Sequence, residues 1–336
     1  MRKPFGTLPD GTGIEEIVLR AGEMQASVLS WGAVLRDFVV PDRAGRPRRV
    51  VLGLRTLDDY LAHSRNFGAI CGRVANRIGN ARFTLDGVEH RLSVNHRGRH
   101  ILHGGDGAFG RRPWRVVEAT EASVALDVST PAGEDGFPGT VVARCTYALE
   151  PPGGIRVTLA ATAEAPTPVN LAHHSYWNLD ATPDAGGHRL HVAADFFTPT
   201  DADGIPTGEV RSVAATPYDF RVARRIAGAG APVPGYDINL VLARAGRPGL
   251  FEAARLESGT ADLALSIATT APGLQVFDGH TLNLAVRGLH DFAYGPRAGI
   301  ALEPQFFPDS VNNPHFPDTI LRPGSTFFQE TMFRLG

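Results

Sequence analysis

Lysine is almost absent from this sequence. Of its 33 basic residues only Lys3 is a lysine, and all the others are arginines. A Walker-type phosphate loop, a Schiff-base aldolase and a pyridoxal enzyme each need a lysine in a defined place. We expect Lys3 to lie in a poorly ordered terminus, where it is a poor candidate for such a role. The scarcity of lysine therefore excludes these three classes of enzyme.

Cysteine, net charge and long apolar runs are also scarce. Cys71 and Cys145 are the two cysteines, too few for a disulfide framework or a zinc cluster and suited to a reducing compartment. A formal net charge of -2 gives no sign of a nucleic-acid or anionic-membrane partner. The opening MRKPFGTLPDGTG has no apolar signal-peptide region, and no window approaches a transmembrane span. We therefore expect a soluble, cytoplasmic protein with no membrane or nucleic-acid partner.

Glycine and proline, in contrast, are abundant and evenly spread, with 38 and 25 residues. Between them lie short runs rich in β-formers at roughly 8–12-residue spacing, typical of an antiparallel sandwich or barrel. FTLDGVEHRL predicts a β-hairpin with Asp86 and Gly87 at its turn. Helical periodicity is confined to TLDDYLAHS, where Thr56 and Asp59 have capping-box spacing, and to FRVARRIAG. We predict an all-β fold with few short helices, a large antiparallel β-sandwich forming a single domain over residues 1–336.

Two motifs are better explained as ordinary structure than as sites. GDGAFG, residues 105–110, matches the dinucleotide fingerprint, but the following residues alternate like strands and do not form the long helix that the fingerprint needs. Cys71 lies near Arg73, yet a small buried residue is a simpler interpretation than an activated thiol. The G-x-S-x-G elbow of serine hydrolases is absent.

The stretch NLAHHSYWNL, residues 170–179, has an unusual polar face. Leu171, Trp177 and Leu179 suit a buried strand, while the even positions include His174, Tyr176 and two asparagines. The histidines at 100, 103, 173 and 174 leave three interpretations open. They are hydrogen-bonded structural residues, metal ligands in a 2-His-1-carboxylate set of His103, His174 and Glu303, or acid–base groups.

Further polar groups lie in otherwise apolar or glycine-bounded segments. GAICGRVANRIG carries Arg73, Asn76 and Arg77, for which a solvated turn is the alternative, and GYDINLVL carries Asp237, for which a turn cap is the alternative. In GIALEPQFFPD, Glu303 and Gln305 share one strand face, and the proline between them implies a bulge or an edge. A lone glutamate in an apolar strand is costly unless it is paired or used.

Taken together, these segments resemble the aldose 1-epimerase (galactose mutarotase) family from end to end. The matching segments, in order, are SWGAVLRDFVVPDRAG, FGAICGRVANRIGNARFTLDGVEHRL, LHGGDGAFGRRPW, GEDGFPGTV, PTPVNLAHHSYWNLD, IPTGEV, GYDINLVL and LEPQFFPDSVNN. The resemblance implies a galactose mutarotase-like supersandwich that interconverts the anomers of a free aldose, most readily a galactose- or glucose-type hexose. It implies no cofactor, no metal, a monosaccharide as partner, and a monomer or homodimer.

The resemblance also implies roles for individual residues. Glu303 would be the general base on the anomeric hydroxyl, and His174 the general acid at the ring oxygen. The sugar would be bound by His103 and Arg73 near the reacting end, by Asp237 and Gln305 at other hydroxyls, and by Asn76 and Tyr176 along the cleft wall.

Three departures from the family pattern put the substrate in question more than the chemistry. NLAHH replaces the usual N-L-T-N-H, so that Ala172 and His173 stand for Thr and Asn. Ile238 stands where His is common, and QVFDGH, with Asp278 and His280, replaces Q-x-Y-T-x-N.

Two other functions remain open at this point. A glycoside hydrolase would use Asp237 and Glu303 as its carboxylate pair. A non-catalytic sugar-binding domain would keep Arg73, Asp237 and aromatic platforms without needing both His174 and Glu303. Polarimetry on a fresh solution of one anomer separates the three functions.

Overall fold

The structure, a computed structural model, describes residues 1–64, 66–228, 230–232, 234–242 and 249–336. It is built mainly from strands in antiparallel ladders. The first strands are β1 (Arg2–Thr7), β2 (Gly13–Ala21), β3 (Met24–Leu29), β4 (Leu35–Pro41), β5 (Pro47–Arg49), β6 (Ile70–Cys71), β7 (Arg77–Ile78), β8 (Arg82–Leu85), β9 (Val88–Arg91) and β10 (Ile101–Leu102). The next are β11 (Arg115–Ala119), β12 (Ser123–Thr130), β13 (Val141–Glu150), β14 (Gly154–Ala163), β15 (Thr167–Pro168), β16 (Ala172–His173), β17 (Tyr176–Trp177), β18 (Arg189–Val192) and β19 (Phe196–Thr198). The last are β20 (Arg211–Ser212), β21 (Arg224–Arg225), β22 (Asp237–Val241), β23 (Phe251–Glu257), β24 (Ala264–Thr269), β25 (Gly273–Phe277), β26 (Ile300–Gln305), β27 (Ile320–Leu321) and β28 (Phe327–Leu335).

Helical structure is sparse. Within the described ranges there is one α-helix, α1 (Leu57–His63), and there are four single 3₁₀ turns, Gly79–Ala81, Phe109–Arg111, Glu134–Gly136 and Ser310–Asn312. No helix in these ranges has the length and apolar character needed to cross a membrane. The predicted all-β class with few short helices is confirmed.

Three sheets organise the chain. The N-terminal sheet has the order β1-β2-β3-β4-β5, the largest sheet has the order β11-β12-β13-β14-β28-β24-β23-β18-β21, and a six-stranded sheet has the order β17-β26-β25-β22-β19-β20. Short two-stranded ladders, among them β7 with β10 and β6 with β16, connect the loops around the six-stranded sheet. The C-terminal strand β28 lies between β14 and β24, so it joins the two halves of the largest sheet.

A single large apolar cluster lies between these sheets. It combines Val28 and Phe38 of the N-terminal sheet with Leu126 and Val157 of the largest sheet and Leu302 of the six-stranded sheet. The side chains of a strand alternate between its two faces. The six-stranded sheet therefore buries one face in this core and leaves its other face for different residues.

Most of the predicted local elements are present. The hairpin β8–β9 turns at Asp86 and Gly87. Helix α1 has a complete capping box, in which the Thr56 side chain accepts from the Asp59 N–H and the Asp59 side chain accepts from the Thr56 N–H. GDGAFG leads into a 3₁₀ turn and then β11, not into a long helix.

Two local predictions are wrong. FRVARRIAG contains β21 in place of a helix, because Arg224 and Arg225 extend the largest sheet by pairing with β18. Lys3 is not in a loose terminus: it lies in β1, and its ammonium group is 3.1 Å from a carboxylate oxygen of Glu16. Backbone pairing with a neighbouring strand decides both cases, and a short sequence window does not contain that information.

The central place of β28 leads us to propose that residues 1–336 form one domain. Deleting residues 325–336 should abolish cooperative folding, since it removes two ladders and buried side chains such as Phe333, each worth roughly 1.5–3 kcal/mol. The summed loss from these buried side chains is comparable with the free energy of unfolding of a domain, about 5–15 kcal/mol.

The matched control removes residues 1–7, which include the mainly exposed edge strand β1, and should leave a cooperative thermal transition in circular dichroism. Two stable halves after limited proteolysis of the intact chain, or a cooperative transition without β28, would contradict the proposal.

Candidate active site

The face of the six-stranded sheet that points away from the core carries polar side chains in an aligned row. Ile238, Val276 and Leu302 point into the apolar core. Their neighbours on the opposite face include Asn239 on β22, Gln275 on β25 and Glu303 on β26, which are consecutive cross-strand partners. Because side chains alternate between the two faces of a strand, a polar residue between two core residues lies on the face that points away from the core.

The stretch 170–179 runs beside this row, but as two short strands and not as one continuous strand. Its ends are fixed by side-chain amides: Asn170 exchanges hydrogen bonds with the backbone of Phe306 (3.2 and 3.0 Å), and Asn178 donates to the carbonyl of Ala298 at 2.6 Å. Between these anchors, His174 is held by backbone hydrogen bonds to Gly68 and Ala69, both 2.9 Å. The asparagines at the two ends of the predicted polar face thus bind backbone groups, and only its middle, His174 and Tyr176, lines a cavity.

A third set of residues arrives through the β7–β10 ladder. Arg77 pairs with Leu102, which brings Asn76 beside His103. The Asn76 N–H donates to His103 Nδ1 at 3.2 Å, so the ring carries its proton on Nε2 in the neutral form. Gly104 has a φ of +92°, and an added Cβ would lie 2.2 Å from the carbonyl oxygen of Gly72. The backbone next to His103 therefore tolerates only glycine.

These three sets of residues enclose a cavity of ≈ 380 Å³. Its floor is formed by Glu303 and His174, the pair predicted to carry the chemistry. The cavity is lined by Asn66, Asn76, Arg77, His96, Arg97, Leu102, His103, His174, Tyr176, Asp237, Phe277, His280, Thr281, Leu282 and Glu303.

Glu303 and His174 form a buried pair. His174 Nε2 lies 3.5 Å from Glu303 Oε1, while His174 Nδ1 and Glu303 Oε2 have no hydrogen-bond partner within the described residues. Burial raises the pKa of Glu303 well above its ordinary value, and Asp237 raises it further while Arg77 opposes the shift. Burial also lowers the pKa of His174 to about 4. Both shifts favour the uncharged forms, a carboxyl group beside a neutral imidazole.

Asp237 is fixed by two donors. Gln275 Nε2 donates to one carboxylate oxygen at 2.6 Å, and Arg77 Nη2 donates to the other at 3.1 Å. Arg77 Nη1 also donates to the side-chain oxygen of Asn76 at 3.3 Å. The result is a neutral ion pair with a fixed orientation at the cavity wall.

The structure places six of the eight predicted site residues at this cavity, namely Asn76, His103, His174, Tyr176, Asp237 and Glu303. Arg73 is not among them. Its buried guanidinium donates to the carbonyls of Pro138 and Gly139, both at 2.8 Å, and to Thr130 Oγ1 at 2.6 Å. Burial lowers the pKa of Arg73 to about 10. Arg73 fastens the 130–139 segment to the body of the protein.

Gln305, the other exception, shares a face of β26 with Glu303 but does not line the cavity. It is fully buried, and its amide nitrogen and oxygen have no partner within the described residues. In β26, Ile300 and Ala301 pair with β17, and Pro304 lies beyond them. At Pro304 the strand pairs with β25 on one side, so the predicted edge is present.

Two of the candidate histidines are structural. His100 accepts a hydrogen bond from the Asn80 N–H at 2.9 Å and is 1% exposed. His173 packs between the rings of Tyr147 and Phe333, at centroid distances of 5.8 and 5.4 Å. Neither of them lines the cavity.

Sequence reasoning missed Arg77 as a site residue and did not consider Gln275 at all. Gln275 is a lone amide inside the apolar run GLQVF, the same signal that identified Glu303. Arg77 was recognised only as part of a polar turn, because sequence does not show which of two arginines four residues apart faces the cavity.

The metal interpretation finds no support in the geometry. Within residues 1–64, 66–228, 230–232, 234–242 and 249–336, no three or more His, Cys, Asp or Glu side chains are grouped so as to hold a metal ion. His103 and His174 meet edge to face with ring centroids 5.4 Å apart.

Comparison with known proteins gives one consistent match. Residues 15–334 match the family model described as aldose 1-epimerase. The chain is 36% identical to galactose mutarotase of Sus scrofa over 337 residues, covering 99% of this chain and 97% of the relative. It is 37% identical to aldose 1-epimerase of Escherichia coli K12 over 338 residues, covering 97% and 96%. Among solved structures, the GalM/aldose epimerase homologue from C. elegans superposes with a TM-score of 0.89 at 32% identity, covering 96% of this chain and 98% of that one.

The buried histidine His173 predicts a specific pH dependence of stability. Burial lowers its pKa from 6.5 to about 3, and nearby His174 adds to the shift. Between these values the unfolded chain binds one more proton than the folded chain, so the free energy of unfolding falls as the pH is lowered. This contribution amounts to about 1.4 kcal/mol per pH unit.

The His173→Asn variant should therefore lose stability less steeply than the wild type between pH 6 and pH 4, by up to about that amount per pH unit. Urea unfolding at a series of pH values measures the slopes. The exposed His315→Asn variant is the control and should follow the wild-type slope. Parallel curves for His173→Asn and wild type would show that His173 does not remain neutral in the folded state.

Proposed function

This chain belongs to the aldose 1-epimerase family, and we propose that its cavity carries out that reaction with Glu303 and His174 as the acid–base pair. The enzyme interconverts the α- and β-anomers of a free aldose, of the galactose or glucose type. The observation that carries the assignment of the pair is their burial on the floor of the cavity, with Nε2 and Oε1 3.5 Å apart.

The reaction requires two proton transfers that occur together. Opening the ring removes a proton from the C1 hydroxyl and delivers a proton to the ring oxygen. The bond between C1 and C2 then rotates, and closure on the other face of the carbonyl reverses both transfers. Each catalytic group therefore acts once as an acid and once as a base in a turnover.

A single proton held by the Glu303–His174 pair satisfies this requirement. In the ring-opening direction, carboxylate Glu303 takes the C1 hydroxyl proton and imidazolium His174 gives its proton to the ring oxygen, which leaves a carboxyl group and a neutral imidazole. Burial favours this uncharged product, since it raises the pKa of Glu303 and lowers that of His174. Closure restores the ionised pair, and the total charge is the same throughout.

Arg77 keeps the carboxylate form of Glu303 accessible. Its guanidinium lowers the pKa of Glu303, whereas Asp237 and burial raise it. Because Asp237 is itself paired with Arg77, the two opposing influences come from one ion pair. The pair thus adjusts Glu303 while presenting its remaining polar atoms to the sugar.

We propose that the sugar hydroxyls are bound by Arg77, Asp237, Asn76, Gln275 and His103. Burial and the nearby His174 and Arg77 lower the pKa of His103 well below its ordinary value, so the ring is neutral and donates through Nε2–H. Arg77 takes the place that the sequence resemblance gave to Arg73. The ring of Tyr176, 5.1 Å from that of His174, forms part of the wall.

The mechanism predicts that Glu303→Gln and His174→Asn each reduce kcat by roughly 10²–10⁴-fold with little change in fold. Both replacements nearly preserve volume but cannot exchange the proton. Because the two transfers are coupled, the double variant should be far less impaired than the product of the two single effects. Polarimetry on fresh α-D-galactose, corrected for spontaneous mutarotation, measures the rates.

The exposed variant Glu118→Gln is the control and should keep wild-type kcat. Retention of more than about a tenth of kcat by folded Glu303→Gln would remove Glu303 from the base role. The same assay after exhaustive treatment with a chelator should give an unchanged rate. A loss restored by Zn²⁺, Mn²⁺ or Fe²⁺ would favour the metal alternative, and release of an aryl leaving group from an aryl galactoside would favour the hydrolase.

Variants of Arg73 and Arg77, the two arginines of GAICGRVANRIG, should separate an effect on sugar binding from an effect on stability. Arg77→Gln should raise KM by about tenfold with a small change in melting temperature, because one charge-assisted hydrogen bond to the sugar is lost. Arg73→Gln should leave KM nearly unchanged but destabilise the fold by about 1.5–3 kcal/mol, since buried carbonyls lose a charged donor.

Parallel measurements of KM and of the free energy of unfolding test this pair of variants. The opposite pattern, with KM raised in Arg73→Gln and stability lost in Arg77→Gln, would return the sugar-binding role to Arg73.

A further inference from the structure

We propose that His280, held in place by Asp278, is a specificity-determining residue that accepts a hydrogen bond from an aldose hydroxyl other than the one at C1. This inference rests on the proposed function and deepens it. It begins from the departures from the family pattern, of which QVFDGH alone reaches the cavity, through Phe277 and His280. Ala172 and Ile238 lie in apolar clusters, and His173 packs between aromatic rings.

The imidazole of His280 is oriented by a buried carboxylate. His280 Nδ1 lies 2.7 Å from Asp278 Oδ1, and the backbone N–H of His280 donates to the same oxygen at 3.1 Å. Asp278 is 1% exposed, and its other oxygen accepts from Arg297 Nε at 3.2 Å. A carboxylate at Nδ1 fixes the proton on that nitrogen, which leaves the Nε2 lone pair as a hydrogen-bond acceptor.

The surrounding backbone leaves room for this pair only because residue 235 is glycine. A Cβ at Gly235 would lie 2.5 Å from His280 Nδ1 and 2.7 Å from Asp278 Oδ1. Gly235 stands two residues before Asp237, in the loop that leads into β22. The loop that carries one sugar-binding residue thus also admits the Asp278–His280 pair.

His280 is separated from the acid–base pair by two aromatic rings. Ring centroids follow one another from His174 to Tyr176 at 5.1 Å, to Phe277 at 6.1 Å and to His280 at 5.4 Å. A sugar whose C1 lies between Glu303 and His174 therefore meets His280 with a different part of its ring. Within the described residues Nε2 of His280 has no hydrogen-bond partner, so it is available to a hydroxyl.

The test combines removal of the His280 imidazole with removal of single sugar hydroxyls. The kcat/KM for anomer equilibration and the Kd by calorimetry are measured for D-galactose and its 2-, 3-, 4- and 6-deoxy analogues, with wild type and His280→Ala. We expect His280→Ala to weaken the parent sugar roughly 3- to 12-fold, the value of one neutral hydrogen bond. For one deoxy sugar, the one that lacks the contacted hydroxyl, the same substitution should have less than about a twofold effect.

Asp278 is a positioning residue in this proposal, and two further variants separate orientation from general damage. Asp278→Asn keeps an acceptor for Nδ1–H and should retain the hydroxyl-specific pattern, whereas Asp278→Ala should lose it. His280→Gln supplies an amide oxygen and should restore part of the binding. The exposed His315→Ala variant is the control.

The outcomes are distinct. An equal effect of His280→Ala on every sugar, or no effect on galactose, overturns the proposal for His280. Wild type that binds the sugars without accelerating equilibration overturns the proposed function, while the Kd cycle still decides the role of His280.

Discussion

The cavity depends on one constraint: a carboxyl group and an imidazole are buried together where neither is stable as an isolated ion. Glu303 is 2% exposed and His174 is 4% exposed, and they face each other across 3.5 Å. A buried charge is costly unless it is paired. In the proposed mechanism the pair holds one proton between two sites, so that it is uncharged or internally ion-paired at every step. Anomer interconversion needs the same alternation, and the physical requirement of burial coincides with the chemical one.

The fold supplies this arrangement by giving one sheet two different faces. Alternate residues of β26 pack Leu302 into the core and place Glu303 on the opposite side, so the carboxyl group is attached to a strand that is paired with β25 and packed against the core. His174 belongs to a segment with little regular structure, but the amides of Asn170 and Asn178 fasten its two ends. Rigid support of both partners keeps the distance between them, on which a coupled proton transfer depends.

The sequence predicted the fold class and six of the residues that line the cavity, Glu303 and His174 among them, and its failures have physical causes. A lone polar residue in an apolar strand is costly, which is why Glu303 was recognisable. Arg73 and Arg77 lie in one glycine-bounded segment, and no periodicity separates them. Arg77 turns towards the cavity because Asn76 adopts a φ of +61° and β7 pairs with β10, and both features depend on distant chain. For the stretch 170–179 the alternation of buried and polar positions was predicted correctly, but one continuous strand was not found. The backbone partner changes from β6 to β26 within a few residues, which divides the stretch into two short strands.

The proposed acid–base pair and the proposed sugar-selecting residue His280 lie beside two different ion pairs. Asp237 is neutralised by Arg77, and both residues influence the pKa of Glu303, so a change in this ion pair would alter the proposed base as well as the proposed sugar contacts. Asp278 is neutralised by Arg297 and accepts a hydrogen bond from His280 at the cavity rim, and neither Asp278 nor His280 is among the groups that shift the pKa of Glu303. The rim can therefore change its hydrogen-bonding pattern without disturbing the proton held by Glu303 and His174. This separation would allow the chain to differ from the expected family pattern at residues 278 and 280 while the proposed acid–base pair stays the same.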